Sequence, residues 1–284
     1  EAVTISANMH IKAMQMIRPG MRESEIAAAV TEIALRDEGY LSFPVIATVN
    51  GQTLHNHHHG NIVREGDMFL LDAGAENRMH YAGDLSSTFP VGKHFSERQK
   101  EIYNIALHAH QTAVAELRPG IPFRDIHLKA AATIVEGMKS IGLMKGDAAE
   151  AAEAGAHALF FPCGLGHMMG LDVHDMENLG EVWVGYDGQP KSTLFGIKSL
   201  RLARKLEPGF VLTIEPGIYF IPELIDRWKA EKRFTDFINY DKVEKYKDFG
   251  GLRNEEDYLI TPEGKRRLGK YVPTTIEEVE AMRQ

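Results

Sequence analysis

The chain has 284 residues, 44% of them hydrophobic and 25% charged, with 40 acids against 32 bases and a net charge of −8. That size can bury a large core, in one large domain or two small ones, and the acidic balance disfavours nucleic acid or an anionic membrane, both of which want a basic surface. The single cysteine, Cys163, excludes an internal disulfide framework, and no apolar run reaches the roughly 18 residues that span a bilayer. No basic n-region or apolar h-region opens the chain, so the cytoplasm is the expected location. Residue 1 is Glu rather than Met, as in a piece of a longer chain.

Apolar residues at helical spacing predict a helix over residues 25–34, after Arg22-Glu23-Ser24. Short apolar and β-branched runs predict strands over 42–49 and 67–72. Between them lie His55, His57, His58 and His59, a density that hints at metal or proton chemistry. Helices are predicted over 96–117 and 123–141, strands over 210–220 and 252–261, and a closing helix over 275–283. Thr274 and Thr275, followed by Ile276 and Glu277, supply cap chemistry for that last helix.

The order contains an internal echo. Ile17-Arg18-Pro19-Gly20 recurs as Leu117-Arg118-Pro119-Gly120, 100 positions later, and Ile26 then aligns with Ile126. Gly66 and Asp72-Ala73-Gly74 are matched by Gly209 and Glu215-Pro216-Gly217 with the same internal spacing, now 143 positions apart. The second half is thus about 43 residues longer, and its extra stretch includes Gly164-Leu165-Gly166-His167. Two related halves are expected, each a helix pair plus strands, and each delivering a strand that ends in a carboxylate. Together they would form an α+β architecture, a curved, mostly antiparallel sheet backed by helices.

Asp72 ends an apolar run, where a carboxylate is costly unless paired or ligated; a turn aspartate before Ala73-Gly74 is the plain alternative. Asp84 follows twelve residues on, across a hairpin through Glu76-Asn77-Arg78. The even spacing lets both acids face one side, and carboxylates held close repel unless a cation lies between them. His167 has glycines on both sides and His174 seven residues later. A lone histidine is ordinarily a core or surface residue, and the Gly-rich insertion is what points this pair to function. Glu215 is the second-half counterpart of Asp72, and Glu255 or Glu256 is the partner of Asp84; spacing does not choose between the last two. Oxygen ligands with one imidazole suit Mn, Co, Fe or Zn rather than a structural zinc. A metal pair about 3.5–4 Å apart activates water and polarises a carbonyl, which is hydrolysis chemistry. No phosphate loop, His-Glu-x-x-His or Gly-x-Ser-x-Gly is present, and Cys163 reads as a structural thiol.

These motifs resemble the pita-bread metallopeptidases, in particular the Xaa-Pro group of prolidase and aminopeptidase P. The likeness rests on Leu-Leu-Asp72-Ala-Gly, Gly-Asp84-Leu-Ser-Ser-Thr, Gly-His167-Met-Met-Gly-Leu-Asp-Val-His174-Asp, Thr-Ile-Glu215-Pro-Gly and Gly-Leu-Arg253-Asn-Glu255-Glu-Asp, and covers essentially the whole chain. It implies a pita-bread fold for residues 1–284 as one catalytic domain, and two divalent ions, Mn first, with Co, Zn or Fe as substitutes. Asp72 and Glu255 would touch both ions, Asp84 one of them, and His167 and Glu215 the other; the resemblance thereby selects Glu255 over Glu256.

The resemblance further implies cleavage of the bond preceding proline, on a peptide or dipeptide with proline second. Glu215 would take the proton of the attacking water, His174 would steady the oxyanion, and His55 would pass a proton to the proline nitrogen. Arg201, with Arg253 also on the substrate side, resembles the group that meets a dipeptide's carboxylate. The Arg201 segment and Phe249-Gly250-Gly251 incline the reading to prolidase, with aminopeptidase P as the alternative for longer peptides. A methionine aminopeptidase, which would share the ligand set, is disfavoured by the Arg201 region and the prolidase-like C-terminal stretch; a metal-free creatinase-like enzyme and a non-catalytic binding module are weaker readings because all five ligand types are retained. Departures from the pattern are Asn254, expected to loosen the turn before Glu255, Met176-Glu177-Asn178 in place of a Gly-rich stretch, and the dense histidine loop. The family's N-terminal domain, associated with homodimer formation, lies outside this chain.

Overall fold

A computed structural model describes residues 1–37 and 39–283. It opens with two helices, α1 (Ala2–Met16) and α2 (Glu23–Arg36), followed by three strands, β1 (Ile46–Thr48), β2 (Met68–Asp72) and β3 (Ser86–Pro90). The order is then repeated. Helices α3 (Glu97–Glu116) and α4 (Phe123–Ser140) precede β4 (Val211–Ile214), β5 (Gly217–Tyr219), β6 (Gly251–Arg253), β7 (Glu256–Thr261) and β8 (Gly264–Arg267). Between α4 and β4 lie α5 (Ala148–Ala154) and α6 (Glu181–Tyr186); α7 (Pro222–Ala230) and α8 (Tyr240–Val243) separate β5 from β6, and α9 (Ile276–Met282) closes the chain.

The expected helices over 25–34, 96–117, 123–141 and 275–283 match α2, α3, α4 and α9 to within two residues at each end. The cap of α9 sits at Thr275, whose hydroxyl accepts the Glu278 N–H while Glu278 reaches back, one residue later than the sequence pattern placed it. Helix α1, the first member of the pair that the two-half plan expects, gives no clear periodicity of its own because its buried arc is wide, from Ile5 round to Ala7, and carries the polar Ser6 and His10, so no clean apolar stripe forms. The strand over 42–49 shrinks to Ile46–Thr48, since Pro44 has no N–H to give a ladder.

All strand pairs are antiparallel. β1-β2-β3 form one sheet, β4-β7-β8 a second and β5-β6 a third. The strands predicted over 210–220 and 252–261 each break in the middle, the first at Glu215-Pro216 and the second at Asn254-Glu255. Proline cannot donate to the ladder, so the chain changes partner there: β4 pairs with β7, β5 with β6. The freed Glu255 N–H donates to Ser86 O at 2.9 Å, which ties the second half to β3 of the first. Asn254 does not loosen this junction. It is buried, and its Oδ1 accepts the Thr88 N–H at 3.3 Å. A polar side chain here stitches two strands where an apolar one would only fill space.

Helices α1 and α2 pack on each other and reach β3 and β1, while α3, packed on α4, lies behind β4, β5 and β6. The core lies between these layers, with Met9, Met14, Ile26 and Val30 on one side and Phe69, Leu71 and Phe89 on the other, all fully buried. Ile126 and Ile134 of α4 occupy the equivalent place in the second half. Among the described residues no helix is long and apolar enough to cross a membrane.

Candidate metal centre and cleft

Each half brings its carboxylates to the same place by strand register. In the first, Asp72 is the last residue of β2 and pairs with Ser86. Asp84, two positions earlier than Ser86, shares its face because side chains alternate along a strand. In the second, Ile214 pairs with Glu256, so Glu215 and Glu255 stand one step beyond the last ladder pair, at the strand breaks. The inserted segment supplies the imidazole by running beside β4. Leu165 O accepts the Glu215 N–H at 2.8 Å and His167 O the Thr213 N–H at 3.1 Å.

The donor atoms converge. One atom each of Asp84, His167 and Glu255 lie within 4.8 Å of one another. His167 Nε2 is 3.3 Å from Asp84 Oδ2 and 3.5 Å from Glu215 Oε1. Asp72 joins the group through Arg253, which donates Nη2 to Asp72, Nε to Ser86 Oγ at 2.9 Å and Nη1 to Tyr219 OH at 2.7 Å. Ser86 Oγ donates onward to Glu255 Oε2 at 2.7 Å. His167 Nδ1 lies 3.0 Å from Met168 O, leaving Nε2 turned to the acids. Glu255 and not Glu256 enters the cluster; Glu256 points to Tyr258 and Arg267 instead.

The electrostatics describe a site short of positive charge. Burial, with Asp84 and Glu215 next, drives the Glu255 carboxyl well above its ordinary range. Burial also raises Asp84 against the His167 hydrogen bond, and carries Glu215 up to about 7. Burial works against charge on His167, yet its bond to Asp84 and the Glu215 charge outweigh it and push the ring up to about 9. Asp84 Oδ1 is buried with no hydrogen-bond partner. Carboxylates forced together and an orphaned oxygen fit a hard or borderline divalent cation, which replaces the missing charge and takes the free lone pairs.

The centre opens into a cleft of about 880 Å³. Phe43, Pro44, Ile46, Leu54, Phe195 and Leu224 supply apolar wall, and His55, His57 and His174 line it too. The His174 ring stands edge-on to His167 with centroids 4.4 Å apart. Burial, with His167 and Arg201, lowers His174 to about 3, and burial and Arg253 lower His55, so both rings are neutral near pH 7. His55 is held in the left-handed region at φ 52°. His59 turns away, to Val45 O at 3.0 Å. Cys163 lines the cleft with a thiol that burial pushes up to about 12, the opposite of an activated nucleophile.

Two expected substrate contacts look different in space. Arg253 is buried, and its nitrogens serve Asp72, Ser86 and Tyr219; it fixes a candidate metal-binding acid and offers no open fork to a substrate. Arg201 faces the cleft with Nη1 bound to Glu177. Supporting residues that spacing did not single out are Ser86, Thr213, Tyr219 and Asp257. Asp257 Oδ2 accepts the Asp84 N–H at 3.0 Å, and Thr213 Oγ1 donates to Glu215 at 3.3 Å while accepting the His167 N–H at 3.2 Å. Thr213 lay two residues ahead of a candidate ligand and Asp257 in an acidic run; neither position distinguishes a support from a solvated side chain.

The profile of metallopeptidase family M24 matches residues 1–262. Xaa-Pro dipeptidase of Mus musculus is 35% identical over 285 residues, which cover 98% of this chain and 56% of that one. Xaa-Pro aminopeptidase of Escherichia coli is 35% identical over 281 residues, covering 98% of this chain and 55% of the relative. This chain thus spans about half the length of the curated relatives it matches. Among solved structures, Zn-substituted Escherichia coli aminopeptidase P in complex with product superposes with a TM-score of 0.81 at 36% identity, covering 99% of this chain and 56% of that one. Proline aminopeptidase P II from Yersinia pestis gives 0.81 at 32% identity, covering 99% and 57%. With the doubled helix-and-strand plan and the converging acids, these likenesses establish the pita-bread fold, and the chain belongs to metallopeptidase family M24.

Proposed function

We propose that residues 1–284 form a catalytic unit that hydrolyses the peptide bond preceding proline with the help of two divalent ions. The observation that carries this reading is the convergence of Asp84, His167 and Glu255 within 4.8 Å at the floor of a partly apolar cleft. Asp72, Asp84, His167, Glu215 and Glu255 would hold the ions, with Mn expected first and Co, Zn or Fe able to replace it. When bound, they supply charge that activates a water and polarises the scissile carbonyl.

The chain's own residues do the rest. Arg253 and Ser86 hold Asp72 and Glu255 in place, so the ligands need not reorganise during the reaction. Glu215 borders the cleft and takes the proton of the attacking water. His174, neutral and beside His167, donates a hydrogen bond to the carbonyl oxygen as it gains charge. His55, at the cleft mouth, passes a proton to the departing proline nitrogen. The apolar wall suits a pyrrolidine ring, whose nitrogen has no N–H to offer.

Within this class, the dipeptidase expectation leaned on Arg201. Its pairing with Glu177 favours longer peptides, as for an aminopeptidase P. Alanine release from Ala-Pro, Ala-Pro-Ala and Ala-Ala-Ala by the Mn-loaded protein tests the reading. Release from either proline peptide but not from Ala-Ala-Ala is expected. Metal bound with no release from a proline peptide would overturn it.

A further inference from the structure

Four permanent cations line the cleft among the described residues: Lys191, Arg201, Arg227 and Arg253. Arg253 is committed to Asp72, Ser86 and Tyr219. Arg227 Nε donates to Glu231 at 2.9 Å. Lys191 is held by Glu181. Arg201 gives Nη1 to Glu177 Oε2 at 2.5 Å, with Glu181 Oε2 3.9 Å away. A peptide carboxylate that enters the cleft thus meets cations that each already have a partner in this chain, the exposed Arg227–Glu231 pair being the weakest of these.

Glu177 is placed by local geometry. It begins a single 3-10 turn, Glu177–Leu179, flanked by Met176 at φ 59° and Gly180 at φ 131°. Both side chains of the pair are partly shielded, at 35% and 16% exposure for Arg201 and Glu177, so solvent and salt screen it less than a surface pair. A guanidinium recognises a carboxylate through parallel donors, and Glu177 occupies one of them.

We propose that Glu177 is a specificity-determining residue: by engaging Arg201 it turns the cleft away from dipeptides, whose free carboxylate follows directly on the proline, and toward longer Xaa-Pro peptides. The inference rests on the Xaa-Pro peptidase reading for its substrate class. A longer peptide presents a neutral amide at that point and needs no cation there.

The test compares wild type, Glu177→Gln and the double variant Glu177→Gln/Arg201→Gln on Ala-Pro and its C-terminal amide, Ala-Pro-NH2. In Glu177→Gln, KM for Ala-Pro falls about tenfold, the worth of one charge-assisted hydrogen bond, while KM for the amide moves less than about twofold by the same scale. The double variant loses the gain. Glu177 Oε2 also lies 3.6 Å from His174 Nδ1, but an effect through His174 falls on both substrates alike. Calorimetric binding of proline against prolinamide gives the same comparison without turnover. Tighter proline binding in Glu177→Gln, with prolinamide unchanged, supports the inference. Equal shifts for acid and amide, or none for either, overturn it. Failure of every form to cleave would sink the peptidase reading, while the binding comparison still decides the role of Glu177.

Discussion

Among the acids proposed to hold the ions, Glu215 is more open to the cleft, its side chain 20% exposed against 7% for Asp84. It can therefore meet a water that the deeper acids cannot. Glu215→Gln should keep the wild-type circular dichroism and urea midpoint while kcat on a proline peptide falls by about 10²–10⁴; near-wild-type turnover would remove it from the proton-transfer role. Away from the centre, His127 and His157 make a buried pair, ring centroids 5.9 Å apart, and none of the four ring nitrogens has a well-formed hydrogen bond. Burial, with the neighbouring ring, takes His127 down to about 3, and burial takes His157 to about 4. Folded values below the unfolded 6.5 mean that the unfolded chain binds protons first. Stability is full above about pH 6.5 and declines as pH falls towards those folded values. At pH 5 each ring costs about 2 kcal/mol. His127→Phe should reduce the loss between pH 7 and pH 5 by about that amount in urea titrations of the metal-free protein. An unchanged acid limb would show that the pair is not the cause.

At the level of elements, the two helical hairpins turn on equivalent glycines, Gly20 at φ 96° and Gly120 at φ 84°. An added Cβ meets nothing within 4 Å at either site, so the cost of a side chain there is conformational alone. Gly20→Ala and Gly120→Ala should each lose about 1 kcal/mol in urea unfolding, and by similar amounts. A large loss at one and none at the other would break the equivalence of the halves. These turns were legible because Arg-Pro-Gly is a local signal. The strand break at Glu215 carried a local signal in Pro216 that the reading over 210–220 passed over, whereas the break at Asn254 carried none, because the partner each end of a strand chooses is not a local property. The register that then selects Glu255 over Glu256 depends on β4, which lies over forty residues away in sequence.

For the whole molecule, Asp84 from the first half, His167 from the insertion and Glu255 from the second half bring donor atoms within 4.8 Å of one another, so a cation bound there would cross-link the fold. Divalent metal at 100 times its Kd should add about 2.7 kcal/mol per site to the stability of chelator-stripped protein. Calorimetric melting with added Mn should show a clear rise in Tm, and Asp84→Asn should shrink it. Absence of a rise with Mn, Co and Zn alike would deny the metal centre.

The sequence by itself determined the two-half plan and the main helices, and singled out Asp72, Asp84 and Glu215 as candidates, because turn chemistry, apolar periodicity and carboxylates closing apolar runs are local properties. The two-half plan called for a helix before α2, but the bounds of α1 stayed hidden, since a wide buried arc that includes Ser6 and His10 blurs the stripe that periodicity detects. The tertiary structure alone decided which oxygens share a point, that Arg253 serves the ligands, and that Asn254 pins β3 to the second half. It also decided that Arg201 is already held by Glu177. Each of these depends on strand register or on charges far apart in the chain, and such pairings exist only once the two halves have closed on each other.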